Sequence, residues 1–555
     1  MSVSRIVPWT TTIMLMLGGS PLAAQVATTS PTASRSPFVE VIKLDLRHPA
    51  ATTQPALKYK LLPDVTEQTP GNAALLYLIA TKLAPDAKTT EDLDRKIYPL
   101  LDLPIDQFPI ADAKNILGQV AERLQYIELA ARRQDVEWDV GLRERGANAW
   151  LPHLNDMRRL GGMLTLQAHT DMAQHDWAAA NHTMQTGFAM ARQLGSQPVL
   201  VQGLIETGIG EQLLARDIEV WIEQPAAPNL YWALSNLPQP FVELRPVAQW
   251  ERADLYFTSP ELAQALRGEL LPDRWPAVLQ QVVSLDAALK GPTTQPANID
   301  VAAGARRLTD SMFFAAKRYL ADQGVPQIEL DSMTAEQVVG TCIFRQYNSV
   351  VEELWKAWEL PFWQGSQQIA AAEEELTRLR HGGIENPLLR TVPAVWRARY
   401  SIARLDQHIA ALRVVEALRD YAARHDGQPP QVLEEIVNLP IPHDPMSGKP
   451  FSYRLDGAVA ILEASAPAMS PTHITMRFEL TFAGEPRNQT GSAVALQTAP
   501  SHLTASSYSQ YERLCERVAM MGLDGLPPDR NWNDSSPPAR LNVSDPNFMN
   551  FKDWR

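Results

Sequence analysis

The stretch from Arg158 to Glu223 constrains the fold most, because its apolar residues recur at helical spacing between short, well-marked turns. Asp176 stands at the start of a second helical pattern, where its carboxylate can accept hydrogen bonds from free backbone N–H groups. Gly195 suits the end of that helix, and Pro198 suits the first turn of a third. Short turns make consecutive helices antiparallel neighbours. The sequence therefore predicts a mainly α fold built from antiparallel helical hairpins.

Two segments of this stretch carry a family likeness. The turn His175–Ala180 (H-D-W-A-A-A) and the exit Ala191–Pro198 (A-x-x-L-G-x-x-P) resemble tetratricopeptide-type, or TPR-like, hairpins. Repeats of that kind stack into extended surfaces that bind peptides or protein segments without reactive groups. The resemblance therefore implies a helical binding surface.

Composition and charge limit the classes of partner. With 555 residues, 45% of them apolar and 20% charged, the chain has the composition of a globular protein of several domains. Its formal net charge of -13 argues against nucleic acid or an anionic membrane surface as the partner. The spacing of Cys342 and Cys515 leaves open whether they form a disulfide. Cys342 lies in an apolar segment, which favours a buried, inert thiol.

The N-terminus has the three parts of a secretory signal peptide. Arg5 is charged, Ile13–Leu17 is apolar, and Ala23–Ala24 provides small residues for cleavage. We therefore expect residues 1–24 to be removed and the mature protein, beginning near Gln25, to be periplasmic or extracellular. No later stretch has the unbroken apolar run, about 18 residues long, that a membrane helix needs. The mature form is accordingly predicted to have no membrane span.

Proline-bearing strings and changes of pattern divide the rest of the chain. The pentapeptide T-T-Q-P-A occurs at 52–56 and again at 293–297, where it indicates a linker. The alternation in 38–46 predicts a strand with 57–62 as its partner, and the alternation in 472–482 predicts an exposed or edge strand. The predicted order is a signal peptide at 1–24, a disordered linker at 25–37, a helical-hairpin domain at 38–290, a linker at 291–299, a second helical region at 300–400, a small α+β unit at 401–482, and a helix with an irregular tail at 483–555.

The segment 404–463 carries the most specific motif of the chain. A helix ends there at H-D-G-Q-P, and D-P-M-S-G-K-P-F-S-Y leads into strands. This unit resembles the globular part of type II secretion major pseudopilins, and the matching residues are Tyr421, Gly427, Pro429, Leu433, Asp444, Pro445, Gly448, Pro450, Phe451 and Tyr453. In that family the unit follows an N-terminal membrane helix, whereas here it begins only at residue 404. The resemblance therefore implies a small α+β fold, but neither pilus assembly nor a bound metal. The rest of the chain resembles exported, largely helical bacterial proteins.

A histidine-rich turn is the first candidate for chemistry. Asp171 and His175 are four residues apart on one predicted helix, a spacing that suits two ligands of a transition metal. No paired cysteines and no His-Glu-x-x-His motif accompany them. Capping and surface polarity explain the same residues, so both interpretations stay open and we predict no cofactor.

A dense aromatic group is the second candidate. Its residues, in the segment E-E-L-W-K-A-W-E-L-P-F-W, are Trp355, Trp358 and Trp363 with Glu352, Glu353 and Glu359 alongside. Aromatic rings beside carboxylates can bind sugars, and two carboxylates can hydrolyse a glycosidic bond. The same spacing is also that of a helical stripe that packs into a core.

The sequence contains no short motif of a familiar hydrolase, phosphate loop or dinucleotide site. We therefore predict a non-catalytic, exported interaction or scaffold protein of the cell envelope, which binds protein or peptide partners on a helical surface. The alternative is an exported, carbohydrate-active hydrolase that uses the carboxylates near Trp355–Trp363.

Overall fold

The computed structural model describes residues 39–83, 87–139, 141, 154–289, 300–381, 386–392, 395–464 and 475–482. This part of the chain is mainly helical and carries a small β-sheet unit, which confirms the coarse fold class predicted from the sequence. None of its helices is both long and apolar enough to cross a lipid bilayer. The predicted signal peptide, both predicted linkers, Cys515 and the predicted tail at 483–555 lie outside the described residues.

The first half of the chain forms short strands and a series of packed helices. They are β1 (Val39–Asp45), β2 (Thr69–Asn72), α1 (Ala73–Lys82), α2 (Ala87–Leu101), α3 (Ile110–Gln119), α4 (Ala121–Ala131), β3 (Arg133–Asp135), α5 (Leu154–Ala173), α6 (Trp177–Leu194), α7 (Leu200–Gln212) and α8 (Glu219–Glu223). A π-helical turn, Leu213–Ile218, joins α7 to α8. Asp176 caps α6 as predicted, because its carboxylate accepts a hydrogen bond from the Ala179 N–H at 3.0 Å.

The second half adds further helices and ends in the sheet. The helices are α9 (Tyr231–Ser235), α10 (Leu244–Thr258), α11 (Pro260–Arg267), α12 (Trp275–Leu289), α13 (Val301–Asp322), α14 (Gln327–Ser332), α15 (Ala335–Lys356), α16 (Phe362–His381) and α17 (Val395–Arg424). The strands β4 (Ser452–Asp456), β5 (Val459–Ala464) and β6 (Thr475–Thr481) follow. α17 has 30 residues and packs against α7, α9, α16 and β5, so it connects the helical body to the sheet.

The four-stranded sheet joins the two ends of the described chain. Its order is β1-β6-β5-β4, with β1 parallel to β6 and the other pairs antiparallel. The predicted pairing of 38–46 with 57–62 is therefore wrong. The edge position predicted for 472–482 is also wrong, because β6 lies between β1 and β5 and buries alternate side chains. Alternation locates a strand, but it does not identify the strand's partner.

The segment that resembles pseudopilins comprises most of α17, two turns and the hairpin β4–β5. Asp426 and Gly427 have positive φ angles of 53° and 80° in the turn after α17. Asp444 fixes the second turn, because its carboxylate accepts from the Met446 N–H at 2.9 Å and from the Ser447 hydroxyl at 3.0 Å. β1 adds a strand from the predicted 38–290 domain, so the sheet unites two of the predicted domains.

The central helices α5, α6 and α7 lie inside the helical body. None of the 13 residues of α7 is exposed. α6 packs on α4 and α5, while α7 packs on α10 and α17. Other helices therefore cover much of the surface that stacked helical hairpins use for binding.

Candidate interaction surface

Asp171 and His175, the predicted metal pair, have different surroundings. Asp171 is buried in α5, where its carboxylate accepts from the Gln167 amide at 2.9 Å and from the Thr183 hydroxyl at 3.1 Å. Burial raises the pKa of Asp171. His175 is exposed, has a φ of 58°, and places its ring 6.0 Å from that of Trp177. Among the described residues, no group of three or more His, Cys, Asp or Glu side chains is arranged to hold a metal ion.

A polar cleft of about 480 Å³ lies between α3 and α5, and Asp171 is part of its lining. The Lys114 ammonium donates to the Gln174 side-chain oxygen at 2.7 Å, and the carboxylate of Asp176 also faces the cleft. The lining therefore contains one cation and two carboxyl groups, so it does not select a ligand by the sign of its charge.

Trp355 and Trp358 are core residues, whereas Trp363 is exposed. The first two are each 2% exposed, and their rings pack edge to face with centroids 4.7 Å apart. They lie on the inward face of α15 and of the 3-10 turn that follows it. Trp363, at the start of α16, is 47% exposed and lies against Gly448. The three rings therefore do not form one exposed platform.

The carboxylates predicted beside these rings are all exposed, and two of them form surface ion pairs. Glu353 lies 2.6 Å from the Lys356 ammonium, and Glu359 lies 3.5 Å from the Arg245 guanidinium. Glu352 is exposed one turn before Lys356. Because Trp355 and Trp358 are buried, these carboxylates do not flank the open aromatic cleft that the hydrolase interpretation requires.

Titratable groups are buried along α17, and His408 is one of them. Its Nδ1 lies 2.8 Å from Glu211 Oε2 and its Nε2 lies 2.7 Å from Glu219 Oε1. Ionised carboxylates only accept hydrogen bonds, so between two ionised glutamates both ring nitrogens donate and the ring is a protonated imidazolium. Burial alone lowers the pKa of His408, but the two carboxylates outweigh it and raise the pKa to about 10.

Glu416 and Arg419 form a second buried group on α17. Their side chains have no exposed surface, and Arg419 Nη1 donates to Glu416 Oε2 at 2.8 Å. Glu416 also accepts from the Leu230 N–H at 2.9 Å, and Arg419 donates to the Ala227 carbonyl at 3.2 Å. Burial raises the pKa of Glu416. Because these groups bond one another inside the core, we assign them to the packing of α17 and not to a reaction.

Helix α1 exposes apolar side chains. Its solvent-facing residues, together with the residue that follows the helix, are Leu75, Leu78, Ile79, Lys82 and Leu83. The exposed fractions of the four apolar side chains run from 36% to 61%. A surface helix normally turns its polar residues to solvent. This exposed apolar face makes α1 the candidate interaction surface among the described residues.

The inner face of α1 holds the helix in place without help from the outer one. Tyr77 is buried, stacks on Trp138 with ring centroids 5.9 Å apart, and donates from its hydroxyl to Gln193 Oε1 at 2.6 Å. Burial raises the pKa of Tyr77. On α4, the buried Arg123 donates to the Ala80 carbonyl at 3.1 Å. The outer residues are therefore presented on a fixed support.

Opposite charges mark the two ends of α1. Asn72 caps its start by accepting from the Ala74 N–H at 3.0 Å, and the Asn72 amide donates to the Glu137 carbonyl at 2.9 Å. This contact and the pairing of Asp135 with Asn72 place two exposed carboxylates near the start of the helix. Lys82 is exposed in the last turn. Both ends therefore complement the helix dipole.

Sequence reasoning missed this surface. The string A-A-L-L-Y-L-I-A-T-K of α1 is apolar on every side, which is also typical of a fully buried helix. The lack of a polar face was the available signal, but it does not show which side stays in solvent.

No protein-family model, curated protein or solved structure matches the chain.

Proposed function

We propose that the protein is a non-catalytic, exported interaction or scaffold protein of the cell envelope, which binds a protein or peptide partner on the outer face of α1. The single observation that carries this proposal is the apolar row Leu75, Leu78, Ile79 and Leu83, held in water on a fixed helix. Burying such a row against a partner is favourable by about 25 cal/mol for each Å² of apolar surface removed from water. No reactive group is needed for that function.

The other parts of the proposal rest on the sequence. The signal-like N-terminus supports export, and the net charge of -13 supports a neutral or basic partner. The resemblance of 404–463 to pseudopilins supports a place in the cell envelope only by analogy. In this proposal the hairpins act as the support, and α1 supplies the contact.

Site-specific photocrosslinking in the native host tests the proposed surface. A photoreactive residue at Leu78 of the full chain is expected to give a discrete protein adduct, whereas the same residue at Ile328 of α14 is expected to give none. Ile328 is a matched control because it is apolar and 83% exposed but isolated on another helix. The absence of an adduct at Leu78, or the same adduct at both positions, would contradict the proposal.

Sequencing of the native N-terminus tests export. We expect a chain that begins near Gln25, and a chain that still begins at Met1 would refute this part of the proposal.

Of the three tryptophans in the hydrolase alternative, only Trp363 has an exposed ring. It lies in the same stretch of sequence as the surface glutamates. A screen of the purified chain on polysaccharide and peptide substrates is expected to show no turnover. If a substrate were hydrolysed and Glu353→Gln abolished the activity, the non-catalytic proposal would be wrong.

A further inference from the structure

We infer that the partner of the α1 outer face is a second copy of this chain, bound through the same face in antiparallel orientation. This inference rests on the proposed function, since it uses the surface proposed above and names its occupant. It follows from two properties of that surface, the arrangement of its apolar residues and the positions of its charges.

The apolar residues form a ridge of the kind that packs one helix on another. Leu75, Ile79 and Leu83 follow one another at intervals of four residues, and Leu78 stands in the adjacent row. Ridges at this interval fit the grooves of a facing helix. Because both copies would present the same ridge, the surface is complementary to itself, as a two-fold interface requires.

The charges select the antiparallel orientation. Lys82 lies at the C-terminal end of α1. The exposed Asp135 and Glu137 lie near its N-terminal end together with Arg133, so that end keeps one net negative charge. When two α1 helices run antiparallel, each Lys82 meets the acidic end of the other copy. A parallel arrangement would bring like charges together and align the two helix dipoles. The antiparallel pair also closes on itself, so it stops at two copies.

The same charges disfavour a lipid surface as the occupant. Apolar helix faces that bind membranes carry cations along their polar border, which attract anionic headgroups. Here Asp135 and Glu137 outnumber Arg133 near the start of α1, and the whole chain is acidic.

Sedimentation of the purified mature chain over a range of concentrations tests the inference. We expect the unaltered chain to be a dimer and Ile79→Glu to be a monomer, because the new carboxylate lies in the middle of the ridge. Ile328→Glu should remain a dimer. Circular dichroism and urea unfolding at a concentration where every variant is monomeric should be unchanged by Ile79→Glu, since Ile79 is 41% exposed.

A charge exchange tests the orientation independently of the apolar ridge. Lys82→Glu should weaken the dimer about ten-fold, because two attractive contacts at the interface become repulsive. Adding Glu137→Lys to that variant should restore most of the affinity. A dimer that Ile79→Glu leaves intact, or a Lys82→Glu defect that Glu137→Lys deepens, would overturn the inference.

The outcomes separate this inference from the proposed function. If the chain is a monomer and Leu78 crosslinks to a different protein, the second-copy inference is wrong and the proposed function stands. If the chain is a monomer and Leu78 gives no adduct, both are wrong. If Leu78 crosslinks to another copy and Ile79→Glu dissociates the dimer, both are supported.

Discussion

Helices α1 and α17 depart from the usual distribution of side chains in opposite ways. α1 keeps large apolar side chains in water, whereas α17 buries charged ones such as Glu416 and Arg419. The apolar residues of α1 contribute little to folding because they stay exposed, so their position points to binding. The buried charged residues of α17 have left water, so each depends on a partner in the core. The comparison separates residues to which we assign a binding role from residues that stabilise the fold.

Hydrogen bonds join α17 to segments that are distant in sequence. Glu416 accepts from the Leu230 N–H, and Asp420 accepts from the Thr52 N–H at 2.7 Å. These two bonds span 186 and 368 residues. Replacing a charged residue of α17 therefore loosens several segments, whereas replacing an exposed residue of α1 affects only the local surface.

The largest effect is expected from Glu416→Leu, which leaves the Arg419 guanidinium buried without its carboxylate. Removing one partner of a buried ion pair should lower the free energy of unfolding by about 3–5 kcal/mol. Urea unfolding measures the loss, with Glu374→Leu on the exposed side of α16 as the control. The double variant Glu416→Leu, Arg419→Met should recover part of it. A loss under about 1 kcal/mol would show that the pair is not buried as described.

Replacing one leucine of each helix by alanine compares α17 and α1 directly. Leu412 on α17 is 0% exposed, and Leu75 on α1 is 61% exposed. Leu412→Ala should cost about 2–5 kcal/mol, because it removes buried surface and leaves a cavity. Leu75→Ala should change the stability of the monomer by no more than about 0.5 kcal/mol. Equal losses in urea unfolding would show that the outer face of α1 contributes to the fold.

A third effect is expected from the pH dependence of His408. Its pKa is raised from the ordinary 6.5 to about 10, so its stabilising contribution is complete below pH 6.5 and is lost as the pH rises through about 10. We expect the free energy of unfolding to fall by up to about 5 kcal/mol over that interval through this group, because each tenfold change in proton affinity corresponds to about 1.4 kcal/mol.

His408→Gln isolates this contribution. Burial raises the pKa of Glu223 and that of Asp406 to about 7. The contributions of these two groups to the free energy of unfolding therefore also decrease as the pH rises. Both chains contain Glu223 and Asp406. Subtracting the pH profile of stability of His408→Gln from that of the unaltered chain therefore leaves the contribution of His408. A variant with the same pH profile as the unaltered chain, or a His408 resonance that titrates near 6.5, would contradict the imidazolium assignment.

Local patterns in the sequence were sufficient for local structure. Asp176 caps α6 as its position predicted, and Cys342 is buried, with a pKa that burial raises to about 12. The core positions of Trp355 and Trp358 agree with their helical spacing, which favours a stripe that packs inward over a binding site. Each of these features depends on residues within a few turns of one another.

The long-range features did not follow from the sequence. The partner of β1 depends on which strand edge remains open after the helices have packed, and no local pattern encodes that choice. The buried contacts of His408 join it to Glu211 and Glu219, so no spacing along α17 announces them. The outer face of α1 was missed because an apolar helix does not show which side its neighbours leave uncovered.

The parallel pairing of β1 with β6 has a consequence for how the molecule forms. Residues 39–45 are made early and have to wait for residues 475–481 before their backbone groups are paired. Contacts this distant in sequence slow folding, because a long loop must close before they form. Until then β1 and β5 each present an open strand edge to other chains. The protein is therefore most exposed to aggregation after β1 has been synthesised and before β6 has paired with it. A chain that ends before residue 475 lacks β6, so its strand edges stay open.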